Sequence, residues 1–443
     1  MDKFVKIIGG GLAGCEAAWQ AAQRGVNVKL YEMKPLVFSP AHKSADLCEL
    51  VCSNSFKSTD ITNASGLLKE EMRVCGSLIL KCADESAVGA GGALAVDRVK
   101  FSRAVTEQIK NHPNIEVISE EIKEIDDGEN VEIIATGPLT SEALCDAIGR
   151  ETGGFLHFYD AAAPVIFAES VDTDKAFYAS RYGKGDADYL NCPMNRQEYE
   201  AFYKALVTAE CADVKDFDEL NLYEGCMPVE SIAKRGEQTL CFGPLKPVGI
   251  TNPKTGETYY AVVQLRKENE EGTLFNMVGF QTRLKFGEQK RVFGMIPGLE
   301  NAEFARYGVM HKNTYINSPG LLDRTYRVKG KNLYFAGQIT GVEGYIESAS
   351  SGLVAGINAA KLVKGEPEFI FPDYTAIGAL AKYASSYAGK DFQPMGANYG
   401  IISQNPDCPV TKKTVRDKAK RRIIQSENSL EKLKKIIESE NYK

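Results

Sequence analysis

The sequence predicts an α/β chain, a Rossmann-like two-part dinucleotide-binding domain with an inserted α+β domain and a C-terminal helix. Three observations carry that expectation. A G-x-G-x-x-G turn opens the chain between a strand and a helix. A second strand–glycine–helix unit returns more than three hundred residues later, and between them the chain turns to alternating, tyrosine-rich sequence. The expected divisions are 1-153 for the first part of the cofactor domain, 154-318 for the insertion, and 319-443 for the second part with its helical extension.

Phe4 to Ile8 is a short apolar run that reads as a buried strand, and Ala13 to Gln23 reads as the helix that follows it. Between them Gly9, Gly10, Gly11, Leu12, Ala13 and Gly14 form the turn. Gly9 permits the sharp bend, Gly11 lets backbone approach a pyrophosphate, and Gly14 lets the helix pack on the sheet. Free N–H groups at the helix start then face the anion. Asn27 to Tyr31 supplies the next strand, and Glu32 stands eighteen residues after Gly14, placed to accept the hydroxyls of an adenosine ribose.

With 443 residues the chain is long enough for two or three domains. Lys plus Arg number 53 against 59 Asp plus Glu, a formal charge of -6, which excludes a globally basic nucleic-acid footprint but not a local basic face. No cationic leader precedes the first strand and no segment has the apolar length of a membrane span, so a cytoplasmic protein is expected. Eleven cysteines occur without a C-x-x-C pair and with only four histidines, a pattern that points away from structural zinc and from a disulfide framework. Most of these thiols are expected to be small buried hydrophobes, with one or two reactive.

Further along, Thr62 to Leu80 reads as one helix, and Val88 to Asp97 as a glycine-rich segment that either meets a flat ligand or forms a surface loop. Arg98 to Lys110 reads as helix, and Ile115 to Ile118 and Val131 to Ala135 as strands. Met194 to Glu210 is a helix capped by Asn195, and Glu257 to Arg266 and Leu274 to Phe280 form a hairpin of an antiparallel insertion. Asn332 to Gln338 then returns as a buried strand ending at Gly337, with an Ala/Gly-rich helix beyond it. A nicotinamide domain does not need this second unit, whereas FAD proteins close the flavin end of the site this way. Gly337 and Gln338 are therefore assigned to the cofactor, and the cofactor is read as FAD. Lys412 to Tyr442 reads as one long helix with Val415, Ala419, Ile423, Leu430, Leu433 and Ile437 inward. Residues 412–422 carry seven Lys or Arg and one Asp, either a phosphate-contact patch or a solvated helix face.

With flavin supplying redox chemistry, the protein must supply position and a nucleophile. Two cysteines lie on turns: Cys52, followed by Ser53, Asn54 and Ser55, and Cys226, between Gly225 and Met227-Pro228 and flanked by Glu224 and Glu230. A thiol on a turn is more accessible than one inside an apolar helix such as Cys15. Nearby acids would oppose its ionisation unless a cation offset them.

The chain resembles the folate- and FAD-dependent tRNA (uracil-54-C5)-methyltransferases over nearly its full length. The resemblance rests on Gly9 to Gly14, Cys52 to Ser55, Gly92 to Arg98, Glu224 to Glu230, Phe335 to Gly344 and Phe392 to Met395. That family is related to the flavoproteins that modify the tRNA wobble uridine, which are longer at the C-terminus. The resemblance implies transfer of a one-carbon unit from methylenetetrahydrofolate through FAD to C5 of a uridine in the T arm of tRNA, with NADPH or NADH as reductant. It makes Cys226 the thiol that adds at C6 and Cys52 its partner, in proton removal or in protecting the transfer. Gln338 stands where many FAD proteins carry an acid, a departure this family tolerates. Three other readings remain at this stage: a wobble-uridine modification component, a thiol-dependent FAD reductase, and a non-catalytic flavin-bound tRNA-binding protein. The Lys412–Arg422 run is a candidate contact with tRNA that the resemblance does not supply. No metal and no membrane contact is expected.

Overall fold

The computed structural model describes residues 3–126, 130–183, 186–212, 227–390 and 392–441. Its centre is a five-stranded parallel sheet in the order Leu333–Phe335, Val131–Ile134, Val5–Ile8, Val28–Glu32, Ile115–Ser119. The first and last parts of the chain thus share one sheet. Val5 aligns with Val28 on one side and Val131 on the other. Residues 131–134 are buried on both faces, as expected for a parallel strand sandwiched between helices.

Two helices pack together beside this sheet, Leu12–Gln23 and Tyr345–Lys364. Their closeness is written in small residues. A Cβ on Gly352 would stand 2.1 Å from the Ala13 carbonyl oxygen, and one on Gly356 2.4 Å from that of Ala17. Neither position tolerates a larger side chain without separating the helices. The returning unit is thereby pressed against the opening turn.

The insertion is a six-stranded antiparallel sheet, ordered Phe177–Tyr178, Leu190–Met194, Ala261–Lys267, Leu274–Met277, Val165–Phe167, Phe304–Arg306. Helix Arg196–Thr208 covers it, started by a capping box between Asn195 and Glu198, and buries Tyr199 and Phe202 beside Phe280 and Phe293 in a second core. The chain's two crossings, Phe155–Ala161 and Met310–Ile316, run side by side as an antiparallel ribbon.

Three expectations need correction. The helix read over Thr62 to Leu80 is two, Ala64–Val74 and Leu78–Glu85. Gly76 between them has φ +72°, Ser77 caps the second helix, and the buried Glu16 carboxylate accepts from Ser77 Oγ (2.7 Å) and Ile79 N (3.0 Å) at its start. The last helix spans Lys418–Asn441 and not Lys412 onward; Thr411–Thr414 is a hydrogen-bonded turn and Asp417 accepts from Lys420 N at 2.7 Å. Its inner face matches the apolar reading at Leu430, Leu433 and Ile437, which pack in or against the core, but departs from it nearer the helix start. Ser426, Ser429 and Leu433 are buried, while Ala419 and Ile423 are exposed, because Ser426 and Ser429 bond inward to Ile61 O and Glu71. The Gly89–Gly92 segment resolves to a contact within the protein: Gly91 N donates to Asp188 (2.7 Å), and Ala90 O accepts from Tyr189 OH (3.1 Å). Among the described residues no helix is long and apolar enough to cross a membrane, and no group of three His, Cys, Asp or Glu side chains could hold a metal ion.

Candidate functional site

The strands Val5–Ile8 and Val131–Ile134 end at a cleft open to solvent and lined by Gly9 to Ala13, Glu32, Ala135 to Ser141, Gly337, Gln338 and Tyr345. Backbone sterics shape its floor. Gly9 has φ +105°, and a Cβ there would stand 2.6 Å from the Ala135 carbonyl oxygen. A Cβ on Gly14 would lie 1.8 Å from the Gly9 carbonyl oxygen, so only glycine brings the helix this near the turn. Gly11 differs, because a Cβ there would meet nothing within 4 Å. What requires a bare backbone at Gly11 is therefore the open space of the cleft. The helix that begins at Leu12 has no side-chain cap, which leaves its first N–H groups facing that space.

Glu32 closes one end. Its buried carboxylate accepts from Gly10 N (2.7 Å) and Lys34 N (3.0 Å), fixing its orientation while each oxygen keeps a further lone pair. At the other end Gly337 (φ +87°) donates its N–H to Ser351 Oγ at 2.7 Å, and Gln338 donates to Glu343 at 2.5 Å. The sequence thus placed Gly9, Gly10, Gly11, Leu12, Ala13, Glu32, Gly337 and Gln338 around one cavity, with Gly14 packed just behind it.

Cys52 lies next to Val51, which lines the cleft, and is half-buried. Its loop is gripped from several directions. Cys52 N and Ser53 N donate to the Tyr345 hydroxyl at 2.9 and 3.2 Å, and burial pushes that phenol up, so it stays neutral. Arg98 donates to the carbonyls of Leu50 and, at 3.3 Å, of Cys52; Arg306 donates to those of Val51 (3.1 Å) and Cys52 (3.3 Å). Arg266 holds Asn54 Oδ1 (2.7 Å) and Ser53 Oγ (3.2 Å), and Asn54 donates to Val96 O and Lys267 O. Cys226 lies outside the described residues, as does Glu224. Two residues on, Pro228 precedes helix Val229–Ala233, where Glu230 turns into the insertion and accepts from Thr282 Oγ1 (2.8 Å) and Arg283 N (2.9 Å). Burial, partly offset by those bonds, raises its carboxyl.

Sequence reading missed Arg266, Glu268, Arg306 and Tyr345, which come from segments two to three hundred residues away from Cys52. Arg98 alone had a signal, as the last residue of the Gly92 to Arg98 motif. Several other thiols fit the bland role expected of them. Cys15, Cys48, Cys82 and Cys192 are buried, and desolvation pushes Cys82 and Cys192 up to about 12.

The strand order, the glycine turn and the returning Gly337 unit define a Rossmann-like two-part fold of the FAD-binding flavoprotein class. The same fold is seen in the crystal structure of Aquifex aeolicus GidA (form II), which matches with a TM-score of 0.72 and 18% identity over 99% of this chain and 74% of that one. Residues 4–367 match the family described as Glucose inhibited division protein A. The chain is 60% identical over 442 residues to the methylenetetrahydrofolate--tRNA-(uracil-5-)-methyltransferase TrmFO of Acetivibrio thermocellus, covering 99% of both chains. It is 56% identical to that of Listeria monocytogenes serotype 4b, covering 99% of this chain and 100% of the relative. The chain belongs to the family of these methylenetetrahydrofolate--tRNA-(uracil-5-)-methyltransferases.

Proposed function

We propose that this protein transfers a one-carbon unit from 5,10-methylenetetrahydrofolate, through FAD, to C5 of uridine 54 in the T loop of tRNA, and completes the methyl with reducing equivalents from NAD(P)H. The observation that carries the reading is the cleft itself, which runs from Glu32 past the bare Gly11 backbone to Gln338 and Tyr345 and meets the Cys52 loop there. An adenosine ribose fits Glu32, a pyrophosphate fits the uncapped start of helix Leu12–Gln23, and Gly337 and Gln338 meet the flavin end. When bound, FAD supplies one-carbon transfer and hydride chemistry.

The chain's own residues supply the nucleophile and its surroundings. The Cys226 thiolate adds at C6 of uracil, which gives C5 the nucleophilic character it otherwise lacks. Cys52 removes the C5 proton or shields the transfer, held in place by Tyr345, Arg98 and Arg306. Residues 1-153 and 319-443 serve the cofactor and 154-318 the substrate side. The exposed Lys412, Lys413, Arg416, Lys418 and Lys420 offer tRNA a phosphate-contact face; Arg421 and Arg422 are partly turned inward, to Val415 O and Thr62 O. The work is cytoplasmic in this reading, where tRNA and reduced folate meet.

The test is transfer of labelled carbon from methylenetetrahydrofolate to unmodified tRNA, with FAD and NADPH, in wild type and Cys226→Ala. Label on the C5 methyl of one T-loop uridine, lost in the variant, is expected. Flavin reduction by NADPH without any label on tRNA would discard the function and leave the fold.

A further inference from the structure

Among the described residues the charges around Cys52 do not balance. Arg98 and Arg306 both face one carboxylate, Glu268, at 2.8 and 3.8 Å. That carboxylate is buried, its side chain 4% exposed, against 16% for Arg98 and 27% for Arg306. A third guanidinium, Arg266, is buried on the following turn against Ser53 and Asn54. Among the described residues the other titratable groups facing the cluster are Tyr345, which is neutral, and Cys52. Glu49, close in sequence, is turned to Lys43 N, Ser44 N and Lys34. Among the described residues Arg306 Nε finds no hydrogen-bond partner. Burial, and then repulsion from Arg98, lowers Arg306 to about 10 despite Glu268. Cations removed from water at this cost call for a further anion close by.

We infer that Arg98, Arg306 and Glu268 form a cage one negative charge short, and that the Cys52 thiolate supplies it, making Arg306 a positioning residue that sets the reactivity of Cys52. This rests on the reading of Cys52 as part of the reaction. The two guanidiniums already hold the Cys52 carbonyl, so the sulfur of the same residue stands within their field. Arg306 and Glu268 both belong to the inserted sheet, on strand Phe304–Arg306 and just beyond strand Ala261–Lys267. Arg98 starts the helix Arg98–Lys110 of the cofactor part. The cage is thus assembled from both parts of the chain, Cys52 and Arg98 from one and Arg306 and Glu268 from the other.

The experiment is alkylation of the FAD-loaded protein by iodoacetamide from pH 5.5 to 9, followed for the Cys52 peptide by mass spectrometry, with the exposed Cys408 as internal control. Arg306→Met should slow Cys52 alkylation at pH 7 by about tenfold and move its midpoint up by about one pH unit. Arg306→Lys should restore most of the rate. Glu268→Gln, which removes the competing anion, should move the midpoint the opposite way. The opposite signs separate charge from mere loosening, since loosening moves both variants alike. An unchanged Cys52 profile in Arg306→Met, or shifts of the same sign in both variants, overturns the inference; if Arg306→Met does not fold, the sign in Glu268→Gln decides. Labelled-carbon transfer by the wild type tests the function separately. Its failure alongside opposed shifts would sink the function and leave the cage.

Discussion

The Gly9–Gly14 turn and the loop from Leu50 to Ser55 both serve one cleft, yet they are built by opposite means. The turn is fixed by backbone contacts within a few residues and by one neighbouring strand, with Gly9 under Ala135 and Gly14 on Gly9. Within the cysteine loop the local hold is a bond from Ser55 N to Ser53 Oγ at 3.0 Å, and most of its grip comes from afar. Arg98, Arg266, Arg306 and Tyr345 converge on its carbonyls, amides and side chains from four separate elements. The first construction tolerates no added carbon at Gly9 or Gly14 and needs little from afar. The second tolerates local change but fails if a distant cation is lost.

The comparison breaks most readily at Gly14. Gly14→Ala is expected to cost about 3 kcal/mol or more, because its Cβ meets a backbone oxygen that cannot step aside. Gly11→Ala, at open space, should keep thermal stability within about 1 kcal/mol while weakening flavin binding about tenfold. Equal loss of stability in the two, by thermal unfolding of apoprotein, would mean that sterics do not set this turn apart. On the other side, Arg266→Met strips the buried Asn54 oxygen of its donors and should cost about 2–3 kcal/mol. Flavin absorbance should persist while protease nicks near Ser53 appear. Loss of flavin with stability intact would contradict the division of labour.

A third test sharpens the comparison with a long-range anion. Buried Glu71 accepts from Ala376 N (2.9 Å), Ile377 N (3.0 Å) and Ser429 Oγ (2.9 Å), joining three helices. Desolvation raises its carboxyl from 4.5 to about 7 in spite of those bonds. The folded state therefore holds the proton more tightly than the unfolded chain, so the contribution is full below 4.5 and is lost as pH rises through about 7. In urea unfolding, wild type should lose about 2–3 kcal/mol more than Glu71→Gln between pH 4.5 and 7.5. Matching slopes would remove Glu71 from the account. The smallest effect belongs to the exposed basic run. Lys412→Glu with Lys413→Glu should weaken tRNA binding several-fold and lower its salt dependence by about two contacts, without altering the flavin spectrum. Unchanged binding would leave that run as a solvated surface.

What could be read in advance follows the same divide. The glycine turn, Glu32 and the returning Gly337 were legible because each obeys a local rule of spacing or backbone freedom. The one long helix expected over Thr62 to Leu80 failed because Leu67, Leu68, Met72 and Leu78 keep helical spacing across Gly76, and spacing alone does not reveal a left-handed residue. The inner face of the last helix was read correctly at Leu430, Leu433 and Ile437 but missed Ser426 and Ser429, for a related reason. Ser426 and Ser429 bury there through bonds to Ile61 and Glu71, partners more than three hundred residues away that hydrophobicity does not encode. The cage around Cys52 was illegible for the same cause, since nothing local to Glu268 or Arg306 marks either as a neighbour of Cys52.

The ribbon that pairs Phe155–Ala161 with Met310–Ile316 has a bearing on how the chain assembles. The parallel sheet is completed when Leu333–Phe335 docks on Val131–Ile134, across a span of roughly 200 residues. Once the ribbon zips, the loop left to close shrinks to roughly 40 residues, which lowers its entropic cost by about 1.5 kcal/mol. The insertion then behaves as a closed excursion with its ends already tied. Ribbon formation becomes the step that makes the late strand's search short, and substitutions that unpair it should slow refolding of the cofactor sheet more than they weaken the finished fold.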